Sequence, residues 1–238
     1  MPDNFLKKGI RNLYHRCIRF FFPVRCMSCR KILPETSEIR ICQNCLPKVQ
    51  MTAQEERTLG GGQFAFGLYS TPYLDGVTSA LKYTGGVRKA MLNFKFYEKT
   101  CHRHTFAYCM SLRKTDLPYY DFIIAVPISK ERRRERGYNQ TDLIAEDFAH
   151  ITGTQLKKDI LMKTKHNQRQ SELSTKERLA NVRGVYRIDD DFKVDKKSIL
   201  LIDDIYTTGS TVNECAKILK QAGAKRVHVL AACRAVRK

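Results

Sequence analysis

The stretch ILLIDDIYTTGST, from Ile199 to Thr211, restricts what this chain can fold into more than any other segment. Its opening apolar run reads as a short strand, Ile199–Ile202, buried on both faces of a sheet. The acid pair Asp203-Asp204 follows directly, then a hydroxyl-rich turn, then a helix near Ser210–Ala222. In an open parallel sheet, ligands bind beyond the carboxyl ends of the strands, so this order puts both acids at that edge. The backbone N–H groups and hydroxyls of Thr207, Thr208, Gly209, Ser210 and Thr211 can surround a phosphate, and a helix N-terminus favours an anion there. Gly209 permits close backbone approach or a positive φ. Carboxylates would repel a bare phosphate. They suit a ligand with a sugar beside its phosphate, because they accept hydrogen bonds from ribose hydroxyls and help hold a Mg²⁺ that grips a polyphosphate. A sugar 5-phosphate seat therefore accounts for all four features. The nucleotide-hydrolase loop G-x-x-x-x-G-K-[ST] and the dinucleotide fingerprint G-x-G-x-x-G are both absent here. The plain alternative is an acidic turn in which Ser and Thr merely cap a helix.

The rest of the chain supports an α/β fold. Asp121–Val126 (DFIIAV) and Val227–Ala232 are further apolar strands, and Phe64–Tyr69 reads as another. Helical spacing spans Val87–Leu112 and a segment through Leu143–Phe148, with a basic loop between Val126 and the latter. Alternation of this kind implies a parallel sheet with helices on both faces. The polar and triple-glycine stretch Gln54–Gly62 marks a joint, which divides the chain into 1–22, 23–60 and 61–238.

Ahead of that joint, CMSC and CQNC supply Cys26, Cys29, Cys42 and Cys45. Two such knuckles let four thiolates converge on one zinc, a closed structural site that replaces a core this segment cannot build. Zinc so bound lowers the formal charge by about two. Cys101, His102, His104 and Cys109 offer metal-type donors as well, but helical geometry points His102 away, so an ordinary helix is expected there.

Residues 4–22 carry Leu6, Ile10, Leu13, Tyr14, Cys17 and Phe21 at helical spacing with basic residues around the wheel. That helix suits packing on the protein, and second a peripheral contact with an anionic membrane face. With 43 Lys+Arg against 24 Asp+Glu, the formal charge of +19 favours polyanionic partners. No window is long and apolar enough for a membrane span, and no secretory leader opens the chain. Nine cysteines without such a leader point to a reducing compartment, so a cytoplasmic protein is expected.

LLIDDIYTTGST resembles the signature of type I phosphoribosyltransferases, which bind phosphoribosyl pyrophosphate. By that match Asp203 and Asp204 would contact the ribose, and Thr207, Thr208, Gly209, Ser210 and Thr211 the 5-phosphate. A narrower resemblance spans most of the chain. The cysteine knuckles, VPISKERRRERGYNQTDLIAE and QSELSTKERLANVRGVY are together similar to the ComF/GntX competence family, and to its ComFC-type members in particular. The likeness implies pyrophosphate contacts from Arg132 and Arg136, and a closing segment with Gln170, Ser174, Arg178 and Asn181. Guanidinium forks match pyrophosphate oxygens well. Asn139 and Gln140 would fix the loop or reach the ligand, and Lys95 matches a family position without an assigned role. The resemblance further implies Mg²⁺ with phosphoribosyl pyrophosphate, single-stranded DNA as a partner during uptake, and a ComFA-like helicase. Phe94-Lys95-Phe96-Tyr97 could offer base stacking, though core packing is the plainer role for those rings. Phosphoribosyl transfer to an acceptor in metabolism is the alternative function.

Overall fold

The computed structural model describes residues 23–47, 49, 71–97, 100–164, 184–189 and 191–235. The expected N-terminal helix at 4–22, the joint, the strand Phe64–Tyr69 and Gln170, Ser174, Arg178 and Asn181 lie outside these residues.

Five strands form one parallel sheet in the order β1-β7-β6-β2-β3. They are β1 (Gly76–Lys82), β2 (Phe122–Ala125), β3 (Leu156–Lys157), β6 (Ser198–Tyr206) and β7 (Arg226–Arg234). A separate antiparallel pair joins β4 (Leu161–Lys163) to β5 (Tyr186–Ile188). The helices are α1 (Gly85–Phe96), α2 (Arg103–Ser111), α3 (Lys130–Arg136), α4 (Gln140–Thr152) and α5 (Ser210–Gln221).

Side chains alternate faces along a strand, and both faces of this sheet are covered. Leu200, Ile202, Leu230 and Ala232 pack with Phe94, Phe106 and Phe148 of α1, α2 and α4. Ile199, Leu201, Val227 and Val229 pack on the opposite face with Val212, Cys215 and Leu219 of α5. Burial on both faces explains why the central strands are almost uninterrupted apolar runs.

The stretch Val87–Leu112 is mostly helical, as expected, in two helices: α1 ends at Phe96, and a 3-10 turn at Thr100–His102 precedes α2. Two sequence expectations need correction. The basic segment after Val126 is not a loop but contains α3, capped by Ser129, whose hydroxyl accepts from Arg132 N–H, and closed by Gly137 at φ 75°. A helix with no buried residue leaves no apolar period to read. The second concerns the acids. Asp203 and Asp204 lie inside β6, which runs on to Tyr206, rather than after its end.

The topology creates one crevice. From β2 the chain moves to β3 on one side, whereas from β6 it moves to β7 on the other. The strand order therefore reverses between β2 and β6, and the carboxyl ends of that pair are where an open α/β sheet binds ligands.

The four-cysteine segment seats on the α1–α2 side of this body. Met27, Leu33 and Ile41 join the same buried cluster as Met91 and Phe106, and Arg40 N–H donates to Thr105 Oγ1 at 2.8 Å. Gly86 makes the fit possible, because a Cβ there would stand 2.5 Å from the carbonyl oxygen of Met27.

Candidate functional site

A pocket of about 420 Å³ opens at the switch point. The consecutive acids of β6 face opposite sides of the sheet, as strand geometry requires. Asp204 continues the Leu200–Ile202 face toward α1 and α4; Asp203 continues the Ile199–Leu201 face toward α5 and β5. Both are buried and both line the pocket.

Their charge states diverge. Burial pushes Asp203 upward, to about 7, and the neighbouring Asp204 charge adds to the rise. Burial acts on Asp204 as well, but Lys95 outweighs it and holds that carboxyl below its ordinary value. Lys95 Nζ lies 2.8 Å from Asp204 Oδ2, and Gln140 Nε2 donates to the same oxygen at 2.6 Å. Asp203 accepts one hydrogen bond, from Asp204 N–H at 2.9 Å, and no ion pair reaches it among the described residues. Lys95 and Gln140 arrive together because Tyr138 ties their helices: its ring stacks on Phe94, 5.8 Å between centroids, and its hydroxyl donates to the Phe94 carbonyl.

The turn after β6 is built as a cradle. Gly209 sits at φ 78° at the N-terminus of α5, and a Cβ there would come within 2.6 Å of Tyr206 Oη. Only glycine meets both demands. Thr208 Oγ1 lies 3.0 Å from Ser210 Oγ and accepts from Ser210 N–H at 3.4 Å, which ties the turn to the start of α5. Thr207, Gly209, Ser210 and Thr211 line the pocket, while Thr208 supports the turn from behind.

Cations dominate the walls. Arg88, Lys95, Arg132, Arg136 and Lys163 face two carboxylates. Arg136 donates to Gln140 Oε1 at 3.0 Å and lies 5.0 Å from the centroid of Phe96. Arg132 lines the pocket with no side-chain hydrogen bond or ion pair among the described residues. Asn139 caps α4 by accepting from Thr141 N–H and donates to the Val126 carbonyl, so it fixes the loop and does not line the pocket. Of the three rings singled out in sequence, Phe94 is core, whereas Phe96 and Tyr97 are exposed.

The pocket also takes in residues that sequence reasoning missed or left without a role. Lys95 lacked a partner until tertiary structure brought Asp204 to it. Arg88, Leu92 and Phe96 form a stripe of α1 along one wall, at the spacing of four that puts them on one helix face. Lys163 and Tyr186 come from the short β4–β5 pair, which carries too few residues for any periodic signal.

The cysteines converge separately. Sγ atoms of Cys26, Cys29, Cys42 and Cys45 all lie within 4.8 Å of one another. Zinc–thiolate bonds of about 2.3 Å at the tetrahedral angle set sulfurs about 3.8 Å apart; Cys29 Sγ and Cys42 Sγ are 3.8 Å apart. The donor set thus fits a tetrahedral metal. It is the one such cluster among the described residues, and Cys101, His102, His104 and Cys109 form none. Cys109 is a buried core thiol pushed up to about 12 by burial, and His104 Nδ1 sits 2.9 Å from Asp147.

A parallel sheet with an acid pair and a hydroxyl cradle at its switch point defines a phosphoribosyltransferase-like protein, and residues 137–238 match the family model for the phosphoribosyl transferase domain. Competence protein F of Haemophilus influenzae is 26% identical over 236 residues, covering 90% of this chain and 99% of that one. Competence protein ComFC of Streptococcus pneumoniae is 31% identical over 147 residues, 61% of this chain and 62% of its own. DNA utilization protein YhgH of Salmonella typhi is 34% identical over 125 residues, 52% of this chain. The match spans about half the length of that relative, 54%. Together with the four-cysteine cluster, these matches make the chain similar to the ComF-type competence proteins and support a phosphoribosyltransferase-like fold. No helix among the described residues is long and apolar enough to cross a membrane.

Proposed function

We propose that the pocket binds phosphoribosyl pyrophosphate with Mg²⁺ and that the protein serves the handling of single-stranded DNA in natural transformation. The observation that carries the ligand is the convergence at one sheet edge of Asp203, Asp204, the Thr207–Thr211 cradle and Arg132 and Arg136. The cradle takes the 5-phosphate, with α5 supplying N–H donors. The carboxylates accept from the ribose hydroxyls, and Arg132 and Arg136 neutralise the pyrophosphate. Mg²⁺ fits beside Asp203, a buried carboxylate raised to about 7 with no cation paired to it among the described residues. Asp203, with ligand oxygens, would hold the ion, which when bound neutralises charge on the pyrophosphate. Zinc is the metal proposed for the four cysteines, in a structural role.

The DNA role draws on the +19 charge and on the likeness to competence and DNA utilization proteins. A basic protein releases counterions from a polyanion, so its affinity for single strands must fall with salt.

A second reading, phosphoribosyl transfer, is favoured by one feature: a wall of Arg88, Leu92 and Phe96, separate from the residues assigned here to the sugar and phosphates. Transfer would form a bond from an acceptor atom to ribose C1 as the C1–oxygen bond breaks, with pyrophosphate leaving on its oxygen.

Calorimetry with phosphoribosyl pyrophosphate and Mg²⁺ tests the ligand. Saturable heat is expected from the parent and none from Asp203→Asn/Asp204→Asn; equal binding by both would remove the acid pair from the site. Pyrophosphate release on adding acceptor pools distinguishes transfer from binding alone. Absence of any single-strand affinity at low salt would make the DNA role indirect.

A further inference from the structure

Lys163 belongs to no motif singled out in sequence, yet its surroundings are unusual for a lysine. It ends β4 and pairs with Tyr186 of β5 across the antiparallel ladder, with its Nζ 5.5 Å from the centroid of that ring. Its backbone also bridges Ser129, the residue that caps α3 and so orients Arg132. Two bases thus hang from paired backbone and line the same pocket. Lys163 makes no ion pair with a carboxylate among the described residues. A cation held in partial burial beside another cation is costly unless an anion joins them. The pocket that they share is the one whose floor is the Thr207–Thr211 cradle, and Tyr186 is hydrogen-bonded to Thr211 of that cradle.

We propose that Lys163 is an anion-binding residue of this site, which with Arg132 receives a phosphoryl group of the ligand and takes up a proton as it does so. The inference rests on the proposed phosphoribosyl pyrophosphate seat and adds to it a residue and a proton. The chemistry is a phosphate oxygen, whether of the 5-phosphate or of the pyrophosphate.

Burial lowers the Lys163 amine to about 8, and the positive charge of Arg132 contributes. Glu131 on α3 and Cys215 on α5 act in the opposite sense without restoring the ordinary value. Near pH 8 the free amine is therefore about half deprotonated. An incoming phosphoryl dianion supplies the missing counter-charge and raises the amine's pKa. Binding then draws about half a proton from buffer at that pH, by linkage.

The test is calorimetry at pH 8 in buffers of different ionisation enthalpy, with phosphoribosyl pyrophosphate and Mg²⁺ as the probe. The proteins are the parent, Lys163→Met and Lys163→Arg. Lys163→Arg should keep the affinity within a few-fold but lose the proton uptake, because a guanidinium stays charged throughout. Lys163→Met should lose the uptake and weaken binding about tenfold or more, the loss of one charge-assisted contact. Subtracting the Lys163→Arg value removes protons exchanged by the ligand itself. Ribose 5-phosphate and inorganic pyrophosphate, run separately, show which phosphoryl group is met, since only one should lose affinity in Lys163→Met. Equal proton exchange in parent and Lys163→Arg, or unchanged affinity in Lys163→Met, would overturn the proposal while leaving the ligand seat intact. Failure of every probe to bind the parent would remove both.

Discussion

Replacing Lys95 with Met should destabilise the ligand-free protein by about 3–4 kcal/mol at pH 7, and by much less at pH 5. Lys95 is the one cation paired with Asp204 among the described residues, at 2.8 Å, with side-chain exposures of 18% and 9%. Removing one partner of a buried pair typically costs about 3–5 kcal/mol, because the other charge is left without compensation. Here Gln140 still donates to the same oxygen, which favours the lower end of that range. Protonation sets a ceiling. In the variant the native carboxyl would titrate above its unfolded value near 3.9, so the native state would bind the extra proton and the deficit must grow with pH. Holding the carboxyl neutral costs about 1.4 kcal/mol per pH unit above that value, hence about 4 kcal/mol at pH 7 and about 1.5 kcal/mol at pH 5. Urea unfolding of parent and Lys95→Met at the two pH values measures the difference. Lys95→Met/Asp204→Asn should recover most of the lost stability, since no buried charge is then orphaned. A deficit under about 1 kcal/mol at pH 7, or one equal at pH 5 and pH 7, would show that the pair is not the buried, uncompensated contact inferred here.

Ligand affinity should rise from pH 6 to pH 7.5 as Asp203, raised to about 7 by burial and the Asp204 charge, ionises and becomes an acceptor for hydroxyl donors. Calorimetry in one buffer series checks this, and a flat profile would exclude Asp203 from contact. The same shift has a stability consequence: a native value above the unfolded one means that Asp203 withdraws stability as pH climbs from about 4 to about 7. Gly209→Ala should cost about 1–3 kcal/mol and abolish phosphate binding, since φ is 78° and the new Cβ meets Tyr206 Oη. Adding Tyr206→Phe should remove only the nearest contact, since Tyr206 Cζ and Thr71 Cγ2 each stand 3.0 Å from that Cβ. The backbone strain persists, so full recovery in denaturant melts would contradict the account. Metal analysis should find one zinc per chain, lost in Cys29→Ser. Because Met27 and Ile41 share a core with Met91 and Phe106, that loss should also lower the unfolding midpoint of the sheet domain. An unchanged midpoint in metal-free Cys29→Ser would uncouple the two parts.

Local sequence determined the parts of this protein whose signal lies within a few residues. The run Ile199–Ile202, the Cys-x-x-Cys pairs and the glycine and hydroxyls of Thr207–Thr211 each carry their chemistry in adjacent positions. Backbone geometry alone then dictates a buried strand, four convergent thiolates and a cradle at a helix N-terminus. Sequence could not say that α3 is helical, because seven charged residues bury nothing and leave no period. Nor could it give the opposed orientation of Asp203 and Asp204 any meaning before the flanking layers were in place. Lys95 stands 109 positions from Asp204, and Lys163 stands 31 from Arg132. Such pairs are joined only when the strand order reverses between β2 and β6 and brings α1, α3 and β4 to one edge. Charge compensation in a buried site is a property of distances in space, and it is there that the fold paired Lys95 with Asp204 and gave Asp203 no ion pair among the described residues.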